Sequence, residues 1–177
     1  MSVSLKSLIE RLTPAARQAL EQAANRALGR THFEVEIEHV LLALLDQQDN
    51  AAQAALLALG IPADTLGREL DAAQDSFRTG NTRNPVLSAW LPRWLEKARL
   101  LASMEHSEAD ISTLDLLLAL WHDDALRNAV QSSSRSLAAQ GRYGGAARRL
   151  SRAAPPRRRR QCIACRPPGT GRRRHGT

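Results

Sequence analysis

Three short stretches of the chain carry residues whose types and spacing could do chemistry. The first is RPPGTGRRR, residues 166 to 174, where glycines beside Thr170 resemble a phosphate-cradling loop. A working loop of that kind reads G-x-x-x-x-G-K-[ST] between a strand and a helix, with backbone amides around the phosphates and Lys on the outer ones. Here Arg166 stands where the first glycine belongs, Arg172 and Arg173 follow Gly171, and no strand is readable upstream. No nucleotide site is expected from it. The second is Cys162-Ile-Ala-Cys165, a single C-x-x-C with no second ligand pair. The third gathers Glu34, Glu36, Glu38 and His39. Carboxylates and an imidazole could hold a metal, but Glu36 and Glu38 fall on different sides of a helix and no second histidine sits at i+4. Carboxylates in a first helical turn are favoured by the helix dipole without any ligand. His39 is therefore expected to hydrogen-bond near a helix start. His32, His106 and His122 lack a Cys or acid at metal spacing and read as loop or helix-end residues. No nucleophile–base–orienter grouping appears either. The expectation is a non-catalytic protein with no metal and no cofactor.

What positions these residues is a chain of 177 amino acids with two unlike parts. Its formal charge of +7 would point to nucleic acid or an acidic membrane, but the charge is segregated. Residues 1–134 hold 12 basic and 18 acidic side chains; residues 135–177 hold 13 Arg, no Lys and no acid. The first part is rich in Ala and Leu and poor in aromatics, which favours packed helices. It has no cysteine, and no apolar run approaches the ~20 residues that a bilayer span requires. The opening MSVSLKSLIERL is amphipathic and charged, unlike a signal peptide. A cytoplasmic protein with no membrane partner is expected.

Leu5, Leu8, Ile9 and Leu12 line one face of a short leading helix. Thr13-Pro14 opens a second, with Thr as cap and Pro at the first position. Ala16, Ala19, Leu20, Ala23, Ala27 and Leu28 continue the apolar pattern at helical spacing, and Gly29 is a stop signal. VEIEHVLLALLD, a segment from about Asn50 to Leu59, and a segment opened by Pro62 with Leu66, Leu70, Ala73 and Phe77 inward complete this half. RTGNTRNP, residues 78 to 85, then reads as a linker. Beyond it the pattern recurs. LTPAARQALEQAANRAL lies over LSAWLPRWLEKARLLAS at an offset of 75, matching Leu12 with Leu87, Leu20 with Leu95, Glu21 with Glu96 and Ala23 with Ala98. After a one-residue slip LLALL (41–45) lies over LLALW (117–121), with Asp110 or Ser112 as the cap of that helix. A last helix covers about Asp124 to Gln131. Repetition at this spacing predicts two helical units packed pseudo-symmetrically, since neither buries its apolar faces alone.

These residues resemble the Clp N-terminal repeat, in which a helix, a loop and a "[TE]EH-[LV]-L-L-x-L-L" helix recur twice. More narrowly, SLKSLIERL, the loop RTHFEVEIEH and the linker TGNTRNPVLS resemble the ClpV family, AAA+ ATPases that recycle contracted type VI secretion sheaths. The resemblance covers about residues 3 to 131 and includes nothing like the ATPase modules. It implies an all-α Clp N-domain of two pseudo-symmetric repeats plus an extra N-terminal helix. The expected organisation is a domain over 1–134, with repeat one at about 12–77, a linker at 78–86 and repeat two at about 87–131. A disordered Arg-rich tail over 135–177 follows.

The leading helix carries more large aliphatics than so short a segment needs. Either it covers one end of the bundle or it forms a wall of a groove for a partner's amphipathic helix. The resemblance implies the groove, and as partner an N-terminal helix of a contracted sheath protein of the VipB/TssC type, recruited to the unfoldase. Periodicity and nearness to the linker select Leu5, Leu8, Ile9, Leu12, Leu87 and Leu91 as its lining. Trp90 and Trp94 share a helix face, and Trp121 replaces Leu45 of the first repeat; core packing accounts for them, with Trp90 an alternative anchor. Two rival readings stand beside this one: a general Clp N-domain serving degradation adaptors, and non-specific nucleic-acid binding through the arginines of the tail. The tail's Arg, Ala, Gly and Pro are residues of GC-rich codons, and the expectation is a reading-frame shift near residues 132 to 136.

Overall fold

The computed structural model describes residues 4–47, 51–105 and 110–140. In order they form α1 (Leu5–Glu10), α2 (Pro14–Gly29), β1 (Glu34–Val35), α3 (Ile37–Asp46), α4 (Ala51–Ala58), α5 (Ala63–Gln74), β2 (Val86–Leu87), α6 (Trp90–Glu105), α7 (Thr113–His122), α8 (Asp124–Gln131) and α9 (Arg135–Gln140). The fold is almost wholly helical. Each repeat is a set of four helices: α2 to α5, then α6 to α9.

Local chemistry explains where these helices begin. Thr13 caps α2, its hydroxyl accepting from the Ala16 N–H at 3.4 Å, with Pro14 at the first position. Both α3 and α7 open on reciprocal capping boxes, Glu36 with His39 and Ser112 with Asp115, separated by the 76 residues of the second register. α2 ends at Gly29, but the left-handed residue comes later, at Thr31 (φ 56°). That conformation is uncommon for a residue with a Cβ. The linker holds it in place: the Asn81 N–H donates to Thr31 O at 2.9 Å and the Gly80 N–H to Thr31 Oγ1 at 3.2 Å.

The two repeats are stitched together at two equivalent junctions. β1 and β2 pair in parallel with Val35 opposite Leu87, and a lone parallel bridge sets Leu12 opposite Ile111. Shifted by 75 or 76 residues, one pair becomes the other. α2 therefore runs from the Leu12–Ile111 junction to the Val35–Leu87 junction, and α6 runs back. Between them lies one continuous core. α2 contributes Ala16, Ala19, Ala23 and Ala27, all fully buried, so α3 approaches it closely. α6 contributes Leu91, Trp94, Leu95, Ala98 and Ala102 against α7. The Trp94 indole donates to Leu116 O at 2.7 Å, which satisfies its buried N–H.

Two details depart from the sequence reading. α5 buries Leu66 and Leu70 as expected, but its third buried residue is Gln74, whose side-chain amide has no hydrogen-bond partner. The ordered body also passes the boundary at 134. Ser134 is buried and its hydroxyl donates to Glu69 at 2.6 Å, the Ser136 N–H donates to the same carboxylate at 3.0 Å, and Leu137 joins the core. α9 packs on α5, its counterpart in the first repeat. Composition changes at 135 because arginines begin there, yet Leu137 still supplies an apolar anchor. Residues 141 to 177, with Cys162, Cys165 and the PPGTG stretch, lie outside the described residues.

Candidate functional site

α1 stands before the repeats and is fastened at its C-terminal end. Leu8 and Leu12 are buried, while Leu5 and Ile9 are half-buried against the core. The Arg17 guanidinium donates to Ile9 O at 3.3 Å, which also accepts from the Leu12 N–H, and to Glu10 O at 3.2 Å at the helix end. Beyond Leu12, the Thr13 N–H donates to Ile111 O at 2.9 Å. α1 packs against α6.

The six residues chosen from periodicity do not form one wall. Leu12 is joined to Ile111 and Leu87 to Val35, so the two lie at opposite ends of α2. Sixteen helical residues span about 24 Å. Leu91 belongs to the first turn of α6, at the Leu87 end, and is buried. α1, six residues or about 9 Å of helix, leads into the Leu12–Ile111 junction at the other end and packs against α6. Leu5, Leu8, Ile9 and Leu12 thus stay together, and Leu87 and Leu91 are separated from them. Chain proximity to the linker misled here, because strand pairing carries the linker to the far end of α2.

α6 connects the two clusters. Trp90, Lys97, Leu101 and Met104 recur at steps of seven, four and three, which places them on one flank of the helix. Trp90 is 38% exposed and Met104 76%; Leu100, next to that flank, is 54% exposed, and Leu101 is half-buried. Val86, in β2 just before α6, is 62% exposed. Exposed apolar residues thus mark a strip along α6 at its two ends, Trp90 in the first turn and Leu100 and Met104 in the last two, with Trp90 about 21 Å from Met104, Lys97 between them and α1 packed against the same helix. Leu100, Leu101 and Met104 were missed from sequence. A signal was there: in the repeat register their counterparts on α2 are Asn25, Arg26 and Gly29.

The acid–histidine cluster is a structural joint. The Glu36 N–H donates to His39 Nδ1 at 3.0 Å, so His39 carries its proton on Nε2 and donates to His32 Nδ1, 2.8 Å away. Both rings are buried beside Phe77, His32 edge-on to it and His39 tilted against it. Burial, with the neighbouring His32 and Arg30, lowers the His39 pKa to about 4. Burial and then Arg30 lower His32 against the pull of Asp75. Burial pushes the Glu36 carboxyl up, opposed by the Ser88 hydroxyl and reinforced by Glu38 and Glu34. Both faces of His39 are thereby spoken for. His122 is exposed at the end of α7, and His106 lies outside the described residues. Among the described residues no helix is long and apolar enough to cross a membrane.

Comparison with known proteins agrees with this architecture. Residues 11–132 match the Clp repeat (R) N-terminal domain family, leaving α1 in front of the matched region. Among curated proteins, the chaperone protein ClpB of Pseudomonas putida is 31% identical over 116 residues; the match takes in 63% of this chain but only 13% of ClpB. Two solved structures are similar throughout the described body. The N-terminal domain of the ClpV1 ATPase from the Sci1 type VI secretion system of E. coli EAEC superposes with a TM-score of 0.71 and 26% identity, over 83% of this chain and 85% of that one. A complex of the ClpV N-domain with a VipB peptide gives 0.64 and 25%, over 85% and 94%.

Proposed function

This chain belongs to the Clp repeat (R) N-terminal domain family, and we propose that it is a helix-docking domain of the ClpV type. In this reading it captures an N-terminal helix of a contracted type VI sheath protein and brings it to a AAA+ unfoldase. It carries no chemistry of its own; ATP-driven extraction belongs to modules outside these residues. The observation that carries the reading is the strip along α6 closed by α1. Large aliphatics and a tryptophan remain exposed there, at helical spacing, on a body whose core is already complete. The similarity to a ClpV N-domain in complex with a VipB peptide supports it. The similarity to ClpB favours a second reading, a general chaperone N-domain serving other clients. α1 separates the two, because it precedes the region shared with the wider family.

Titrating the full chain with a synthetic peptide from the N-terminus of a VipB-type sheath subunit tests this. Micromolar binding is expected, weakened at least tenfold by Ile9→Asp or Leu101→Asp with helicity by circular dichroism unchanged. Binding indifferent to both variants would remove the strip as the site. Binding lost only at other surfaces would favour the general chaperone reading.

A further inference from the structure

Building on that docking reading, we infer that the strip selects an amphipathic helix whose apolar stripe is flanked by carboxylates. The two helices beside the strip are the basic part of an acidic domain, although Arg99, nine residues beyond Trp90, falls on the opposite side of α6. α1 with its cap Arg11, together with α6, holds five basic residues (Lys6, Arg11, Arg93, Lys97 and Arg99) and three acidic ones. The rest of residues 1–134 holds seven basic and fifteen acidic. The five cations are not equivalent. Arg93 is committed to the Asp123 carboxylate through contacts of 3.1 to 3.3 Å. Among the described residues the ion pairs engage Arg26, Arg30, Arg93 and Arg127, and neither lysine. Lys97 lies half-buried on the docking flank itself, between Trp90 and Leu101, and Lys6 is exposed on α1, next to Leu5.

An ammonium set among apolar side chains is solvated on one side only, and its stem covers apolar surface while its head reaches outward. A carboxylate on the edge of an incoming apolar stripe meets it there. Charge of this kind at a rim governs partner choice and encounter rate more than total affinity. The chain's own tail does not fit as occupant: residues 141–177 carry twelve arginines, no acid and no apolar period. The occupant is a separate, acidic-flanked helix.

Three 16-residue peptides with one common apolar stripe and flanks of Glu, Gln or Lys, titrated against the full chain, decide this. The Glu-flanked peptide should bind about tenfold more tightly than the Gln-flanked one in 50 mM salt, the combined effect of two or three exposed charge pairs. That advantage should shrink severalfold in 500 mM salt. Lys97→Glu should reverse the order of the Glu and Lys peptides, and Lys6→Glu should narrow the gap between them. Equal affinities for all three peptides, each lost in Leu101→Asp, would overturn the charge preference and leave the docking strip standing. Affinities indifferent to Leu101→Asp would overturn both.

Discussion

α2 and α6 occupy equivalent places in the two repeats, so their differences separate what the fold requires from what it does not. Inward, the register pairs Ala16 with Leu91, Ala19 with Trp94, Ala23 with Ala98 and Ala27 with Ala102, all of them buried. Core volume has moved between the halves, and the tryptophan of one repeat faces no large counterpart in the other. Outward, the register pairs Ala15 with Trp90, Gln22 with Lys97, Asn25 with Leu100, Arg26 with Leu101 and Gly29 with Met104. On α2 this flank is used for polar fastening: Gln47 donates to Ala15 O at 3.0 Å and Arg26 pairs with Asp46. The repeat architecture therefore stands with a polar flank. Leu101 still packs partly on the core, but Trp90, Leu100 and Met104 are exposed where α2 carries Ala15, Asn25 and Gly29, and it is these that the proposed docking would use.

The inward asymmetry breaks most sharply at Trp94. Trp94→Ala removes a fully buried indole and its bond to Leu116 O, and should destabilise by about 4 kcal/mol. Ala19→Leu, at the equivalent place, tests the opposite error, forcing volume into a helix pair packed through alanines; about 2 kcal/mol is expected. Urea unfolding followed by circular dichroism measures both. A smaller loss at Trp94 than at Ala19 would mean that the second repeat is not the more heavily packed half.

The capping boxes differ in chemistry as well, since His39 stands where the second repeat has Asp115. His39 is held neutral in the folded protein, with its pKa lowered from an ordinary 6.5 to about 4. The unfolded chain thus binds the extra proton first. Stability from this group is complete above about pH 6.5 and is lost as the pH falls towards 4. Each pH step in that interval costs about 1.4 kcal/mol, roughly 3 kcal/mol over the whole of it. His32, also lowered, adds to the same slope. His39→Gln keeps an acceptor for the Glu36 N–H and removes the titration, so its stability should vary less between pH 4 and 6.5. An unchanged slope would place the acid sensitivity elsewhere.

Much of this was readable beforehand because it depends on local rules. Helical spacing located α2 and α6, a Thr-Pro pair opened α2, the cap of α7 was narrowed to Asp110 or Ser112, of which the fold uses Ser112, and the offset of 75 or 76 aligned the repeats. The rest depends on tertiary pairing. Nothing in the spacing of Leu87 and Leu91 says that β2 joins β1 and carries them about 24 Å from Leu12. Gln74 continues a stripe of leucines, and its burial reflects packing that outweighs a lost pair of hydrogen bonds. α9 was hidden by the arginines that begin at its first residue, although Ser134 and Leu137 are the cap and anchor of an ordinary helix.

The outward asymmetry gives the smallest effect on stability and the cleanest division between fold and function. Leu100→Asn makes that position of α6 match Asn25 of α2, and Met104→Gln removes the apolar end of the strip without placing glycine inside a helix. Both side chains are mostly exposed, and exposed substitutions away from caps and cores stay within about 0.5 kcal/mol each. The double variant should therefore unfold in urea within about 1 kcal/mol of the parent chain, while its affinity for the sheath-type peptide falls at least fivefold. A large loss of stability would show that the flank belongs to the core after all. Unchanged affinity on an intact fold would confine docking to α1 and the Trp90 end, and the surplus of leucines at the end of α6 would then have to answer to a different partner.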